Sequence, residues 1–291
     1  MAKMILTGSS GFIGRNYLTL SSNSPFTKII SLQKTQVKDI NFGNINSIIH
    51  LAGIAHRMGQ PSGQIYYDVN TKLTVDLATQ AKESGVKQFI FVSTVKVFGD
   101  KKGFDIHYDM DSPCNPNDDY GKSKWQAEQQ LQNLQDHNFQ VAIIRPSLVY
   151  GAGVKGNLEK LMNLIRKGYR LPFGDIRNKR SMVYVGNLIA MIDSIIESQA
   201  SGVFIAGDTE PISTSQLIQN IQFAFGQKNR LFSLPKPIRL VIKKIKPELY
   251  KRLFCSLVVD NTQTNQILNF IPPYKSEQGI AKMVKHFLEN N

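Results

Sequence analysis

An α/β fold, with a doubly wound parallel sheet and a smaller C-terminal lobe, is what the 291-residue sequence predicts. Three observations lead there. Short apolar runs alternate with helical patterns over the first half of the chain. The first of these runs passes directly into a glycine-rich turn and then a helix. From about residue 150 the alternation loosens, and proline-rich joints (Pro235, Pro237, Pro247, Pro272, Pro273) separate the helical segments.

The strand candidates are MILT (4–7), KIISL (28–32), SIIHLA (47–52), QFIFVST (88–94), QVAIIRP (140–146) and VFIA (203–206). They are rich in Ile, Val and Phe and mostly apolar on both faces, as buried parallel strands are. Helical patterns lie between them at 12–22, about 64–84, about 119–136 and 187–198. Segments 156–167, 213–225 and 235–251 look helical in the second half. The expected division is 1–150, with 179–207 returning to it, against a lobe of 151–178 and 208–291.

The glycine turn reads TGSSGFIGR, with Gly8, Gly11 and Gly14. Glycine suits a tight turn and lets backbone approach a phosphate closely. The helix that follows aims free N–H groups and its positive end at the same point. Dinucleotide binding on a Rossmann-type sheet is the expectation.

The spacing G-x-x-G-x-x-G resembles the extended short-chain dehydrogenase/reductase, or NAD-dependent epimerase/dehydratase, family. IIHLAG (48–53), VSTVKVFG (92–99), YGKSK (120–124), RPSLVYG (145–151) and NKRSMVYVGNL (178–188) carry the resemblance, which covers nearly the whole chain. Several stretches look most like bacterial UDP-4-keto-6-deoxy-N-acetylhexosamine 4-reductases and related UDP-hexose 4-epimerases. The resemblance implies cofactor contacts from Gly8, Gly11, Phe12, Ile13 and Gly14, from Leu51, Ala52 and Gly53, and from Pro146. Asp39 and Ile40 match an acidic–aliphatic pair beside adenine.

Tyr120 and Lys124 stand one helical turn apart. With ten tyrosines and 25 lysines in the chain, about one such pair arises by chance, so spacing alone decides nothing. Position decides it: Tyr120 opens a helix 26 residues after Thr94, which ends a buried strand. The resemblance makes Thr94, Tyr120 and Lys124 catalytic around one substrate carbonyl, with Tyr120 and Lys124 also touching the cofactor. A phenol near pKa 10 is a weak acid–base group at neutral pH. A nearby ammonium, together with the charge of an oxidised nicotinamide, is expected to lower that value and let the phenol exchange a proton with a substrate oxygen.

At the end of the second strand stands SLQK, with Gln33 near the usual acidic position and Lys34 after it. Without a carboxylate for the ribose 2′-hydroxyl, NADP is expected ahead of NAD. About 15 residues separate SLQK from SIIHLA, so the family's third strand and helix look trimmed to VKDI (37–40).

Val95 and Lys96 follow Thr94 where dehydratases of the family carry Asp-Glu, so 4,6-dehydration is not expected. Leu148 stands near a position where such enzymes often carry Asn. Two reactions stay open: NAD(P)H-dependent reduction of a UDP-4-keto-6-deoxy-N-acetylhexosamine in surface-polysaccharide precursor synthesis, favoured here, and UDP-hexose or UDP-N-acetylhexosamine 4-epimerisation. On the UDP-sugar side the resemblance points to Thr94, Lys96, Tyr120, Asn157 as a helix cap, and Arg180 as a pyrophosphate ligand.

The formal charge is +13, and residues 227–252 hold nine basic residues against Glu248. A solvated basic face is the plain reading; an anionic membrane surface is the sharper one. No nucleic-acid motif accompanies the charge. The histidines, His50, His56, His107, His137 and His286, share no metal-ligand spacing and read as structural, with no metal expected. Two cysteines, Cys114 and Cys255, suggest a reducing compartment. No signal segment or long apolar span is visible, so a cytoplasmic protein is expected, and a homodimer stays open.

Overall fold

In a computed structural model of the chain, residues 3–55, 63–99 and 105–290 are described. His56 lies outside them. Six strands form a central sheet: β1 (Lys3–Thr7), β2 (Thr27–Ile30), β3 (Ile45–His50), β4 (Gln88–Val92), β6 (Gln140–Pro146) and β9 (Gly202–Ala206). Their order is β2-β1-β3-β4-β6-β9, and every pairing is parallel. This is a Rossmann-type α/β sheet. All six expected strands are present. The sheet ends at β2, and residues Val37–Asp39 make one 3₁₀ turn where a further strand and helix would have stood.

Side chains alternate across the strands, so each face builds its own core. Met4, Leu6, Ile49, Ile90, Val92, Ala142 and Ile144 face one side. There they meet α1 (Phe12–Leu20), α5 (Asn157–Arg166), α6 (Val185–Ser198), α7 (Thr214–Ala224) and α11 (Ser276–Glu289). Ile5, Ile48, Phe89, Phe91, Val141 and Ile143 face the other side. They are covered by α3 (Leu73–Glu83) and α4 (Asp119–Leu134) through Leu77, Ala78, Ala127 and Leu131. A helical segment of one turn, α2 (Gly63–Tyr66), leads into α3 through a π turn at Tyr67–Lys72.

Smaller pairings frame the carboxyl ends of the sheet. β5 (Asp105–Tyr108) pairs with β10 (Ser256–Val259), and β7 (Leu148–Tyr150) with β8 (Met182–Tyr184). The segment 235–251 is not one helix. It splits into α8 (Lys236–Ile245) and α9 (Pro247–Phe254), because Pro247 lacks the N–H that would continue the first helix and Lys246 leaves helical geometry (φ −134°, ψ 68°). A short α10 (Thr262–Ile267) follows β10.

His50 is structural, as expected. It is fully buried at the end of β3, between Thr7 Oγ1 (2.7 Å) and Thr74 Oγ1 (2.9 Å). Burial, helped by the nearby Lys124 charge, holds its pKa down at about 3 against the usual 6.5. On acidification the unfolded chain therefore takes up this proton first. The contribution is complete above pH 6.5 and is lost as pH falls toward 3. Urea unfolding should show stability falling by about 5 kcal/mol over this range from His50 alone. His50→Gln should flatten that part of the profile; an unchanged slope contradicts the assignment.

Candidate active site

The glycine turn sits on the end of β3. Gly8 has φ +78°, in the region that disfavours side chains, and a Cβ there would overlap the Ala52 N–H and the Leu51 carbonyl. A Cβ on Gly14 would overlap the Gly8 carbonyl oxygen. Gly11 N donates to that same oxygen at 3.0 Å. Phe12 and Ile13 open α1, whose start carries no side-chain cap and no acidic residue. The first N–H groups of the helix thus face a place fitted for a pyrophosphate. Arg15 donates to Ser10 O at 3.0 Å and lies beside this turn.

Thr7 pairs with Ile30, so the turn holding Gln33 and Lys34 emerges level with the glycines. Both side chains are exposed, as is Asp39, whereas Ile40 is buried in the sheet's second core. No carboxylate stands within residues 31–34. Pro146 is buried at the end of β6, paired with Ala206 of the edge strand.

Gly53 follows Ala52, against which the glycine turn packs, and itself adjoins Lys124. A Cβ on it would stand 3.0 Å from Asn70 Oδ1 and 3.1 Å from Lys124 Nζ. Lys124 is buried, donates to Val92 O at 3.0 Å, and its ammonium lies 4.4 Å from the Phe91 ring centroid. Burial lowers its pKa from 10.5 to about 8, although Glu128 pulls the other way. Tyr120, in the first turn of α4, is hydrogen-bonded to the Thr94 hydroxyl. Its ring packs edge-on against Tyr66, with centroids 6.3 Å apart.

From the protein's own groups alone, the phenol pKa is raised. Burial pushes Tyr120 up to about 12, the Thr94 bond offsets part of this, and Asp118 and Tyr66 add to the rise. The reason is desolvation: the one-turn spacing brings Lys124 onto the same helix, but its ammonium is itself buried and committed to the Val92 carbonyl. Because the folded pKa of Lys124 lies below 10.5, its contribution to stability rises with pH from about 8 upward, and the buried ammonium costs stability at neutral pH. Lys124→Met should therefore melt no lower than the parent at pH 7, and up to about 3 kcal/mol higher in stability, while losing at least about a hundredfold in turnover. Thermal melting beside a turnover assay checks both; a clearly destabilised variant contradicts the account.

Residues missed in the sequence complete the arrangement. Asn70 is fully buried; it accepts from Ile54 N (2.8 Å) and donates to Ile54 O (3.1 Å) and Ser123 Oγ (3.1 Å). Thr71 Oγ1 donates to Ser123 O at 2.8 Å. The π turn, a feature often found at functional sites, directs these polar groups inward toward α4. The available signal was a polar Asn-Thr pair inside an otherwise helical apolar pattern. Behind Thr94, Ser93 donates to Glu128, and Glu128 accepts from Arg145 Nε at 3.3 and 3.1 Å and from its Nη2 at 2.7 Å.

On the far side of Tyr120 opens a cavity of about 310 Å³, lined in part by Lys96, Asp118, Arg180, Lys251, Arg252 and Leu257. Lys96 Nζ lies 2.5 Å from Asp118, the N-cap of α4, and 5.7 Å from the Tyr120 ring centroid. Arg180 donates to Cys255 O at 3.4 Å. Burial lowers its pKa, with Cys255 opposing and the Arg252 charge adding to the shift. Lys96 and Arg180 thus line one cavity. Asn157 is not among them. The cap position of its helix falls on Gly156, no side chain makes the cap bond, and Asn157 is an exposed first residue. The cap expectation is corrected: the chain turns into α5 through Gly156 at φ +80°, one residue earlier than expected.

The family model described as "NAD dependent epimerase/dehydratase family" matches residues 4–207, from β1 through the edge strand. The chain belongs to the NAD-dependent epimerase/dehydratase family. A UDP-glucose 4-epimerase of Vibrio cholerae is 36% identical, over 99% of this chain and 96% of the relative. An N-acetyl-alpha-D-glucosaminyl-diphospho-ditrans,octacis-undecaprenol 4-epimerase of Escherichia coli O157:H7 is 27% identical over 97% and 94%. Among solved structures, UDP-N-acetylglucosamine 4-epimerase from Bacillus cereus superposes with a TM-score of 0.79 at 18% identity, covering all of both chains. UDP-glucuronic acid 4-epimerase from the same organism, in complex with NAD, gives 0.77 at 18% identity, covering 99% and 96%. These two establish the fold of the family member described here.

Proposed function

We propose that the protein is a nucleotide-sugar 4-epimerase that works with NAD. The observation carrying this is the 36% identical UDP-glucose 4-epimerase, aligned along essentially the full length of both chains. It favours the epimerase alternative over the reductase first expected. The expected preference for NADP gains no support, since the structural relatives named above include a complex with NAD.

In this reading residues 1–150, joined by 179–207, hold the cofactor, and 151–178 with 208–291 hold the nucleotide sugar. The turn at Gly8, Gly11 and Gly14, with Phe12 and Ile13, takes the pyrophosphate. Gln33, Lys34, Asp39 and Ile40 border the adenosine, and Leu51, Ala52, Gly53 and Pro146 line the path to the reacting end. Arg180 and Lys96 take the substrate diphosphate, helped by Arg252 from α9. Asn157 keeps no assigned contact.

When bound, NAD supplies the acceptor for a hydride from sugar C4 and returns it. Tyr120 Oη takes the proton of the C4 hydroxyl and, once the keto sugar has turned its other face to the cofactor side, returns it to the same C4 oxygen. Thr94 holds the same oxygen. The positive charge of Lys124, added to that of an oxidised nicotinamide, would offset the burial that holds the phenol pKa near 12 in this state. Asn70 fixes the backbone at Ile54, next to Gly53, and so sets the floor on which Lys124 rests.

Two incubations test the choice of reaction. With UDP-glucose, the C4 epimer should accumulate to equilibrium without net change in nicotinamide absorbance. With a UDP-4-keto-6-deoxy-N-acetylhexosamine and NADPH, catalytic amounts of protein should cause no sustained oxidation. Stoichiometric oxidation in the second mixture, without epimerisation in the first, restores the reductase reading.

A further inference from the structure

Helix α8 is turned inside out relative to an ordinary surface helix. Arg239 faces inward, donating to Leu234 O at 2.8 Å and standing 5.7 Å from the Phe254 ring of α9. Lys243 lies 5.8 Å from the Tyr250 ring, which stacks on Phe254. The cationic side chains thus lie against the aromatic face of α9. Ile238, Val241 and Ile245, at spacings i, i+3 and i+7, form one stripe on the outside. They are 47%, 54% and 69% exposed. Lys244 and Lys246 are exposed on the flank and at the end of this stripe. A stripe of large aliphatic side chains facing water is costly unless something covers it.

We propose that α8 docks on an anionic phospholipid bilayer. The stripe enters the interface, and the surrounding lysines meet the headgroups. Charge complementarity selects this occupant: residues 227–252 hold nine basic residues against one acid, and although Arg239 pairs with Asp175 and Lys251 with Glu248, the exposed Lys244 and Lys246 border the stripe, a surplus that opposes a second copy of the same face and suits a negative lipid surface. Among the described residues no helix is long and apolar enough to cross a membrane, so the contact lies at the surface. Glu248, Lys251 and Arg252 of α9 line the Arg180 cavity, so docking sets a wall of that cavity beside the lipid headgroups.

Vesicle flotation of the full-length protein tests the proposal. Binding is expected to vesicles of phosphatidylcholine and phosphatidylglycerol in equal parts at low salt. It should drop with phosphatidylcholine alone or at high salt. The triple variant I238S/V241S/I245S and the charge reversal K244E/K246E should each reduce bound protein about tenfold or more, with unchanged far-ultraviolet circular dichroism. The reversal acts through exposed side chains, so it keeps the test valid where the triple variant misfolds. Absence of parent binding, or binding untouched by the reversal, overturns the proposal. So does a change of oligomeric state in light scattering for the triple variant, which assigns the stripe to a second copy.

Discussion

Tyr120→Phe lowers turnover by a factor of about 10²–10⁴ and leaves the protein folded. The loss corresponds to about 3–5 kcal/mol of transition-state stabilisation, the scale of one positioned proton-transfer group. The substitution removes only the hydroxyl. The edge-on contact with Tyr66 stays, because it is made by the ring. The Thr94 hydroxyl keeps a second link, as acceptor from Lys96 N at 3.2 Å. Binding of substrate and cofactor therefore changes little, and the defect falls on kcat rather than KM. A variant keeping more than about a tenth of parental turnover removes Tyr120 from the acid–base role.

The second large effect is on stability. Glu128 and Arg145 form a paired charge in the interior, with side chains 0% and 4% exposed. Arg145 also lies 4.9 Å from the Phe98 ring and 5.5 Å from the Trp125 ring. Glu128→Ala leaves the guanidinium buried without its carboxylate and deprives Ser93 of its acceptor. The expected cost is about 3–5 kcal/mol in urea unfolding, enough to remove a large share of a typical domain's stability. Replacing both partners by apolar residues, as in E128L/R145M, should recover most of that loss, since no charge is then stranded. A single variant losing less than about 1 kcal/mol, or a double variant no better than the single, contradicts this account. Because Ser93 precedes Thr94, the single variant should also lower turnover even where it remains folded.

Much of the fold was legible because its determinants are local. Runs such as QFIFV and QVAIIRP are apolar on both faces, and strands buried under helices on both sides need that composition. The glycine turn was legible because Gly8 and Gly14 answer to close backbone approach, which other residues obstruct. The pairs β5–β10 and β7–β8 were not, since strands of three or four residues carry too little periodicity to register. The placement of Thr94 just past a buried strand and of Tyr120 and Lys124 at a helix start could be read from the sequence. The charge state of Tyr120 could not, because burial outweighs the one-turn spacing to Lys124. Asn70 escaped for a similar reason: the π turn that presents it leaves no mark on a 3.6-residue pattern. The basic stretch 227–252 was visible as charge, but which face it turned outward depended on Tyr250 and Phe254.

The central claim is that Tyr120 serves a reaction in which the C4 hydrogen leaves and returns to the same sugar. Proton NMR of the purified protein with UDP-glucose in deuterium oxide tests it most directly. The account predicts growth of the C4 epimer with protium retained at C4 and no added nicotinamide consumed. Deuterium at C4 in the epimer, or no epimer from either UDP-glucose or UDP-N-acetylglucosamine, contradicts it.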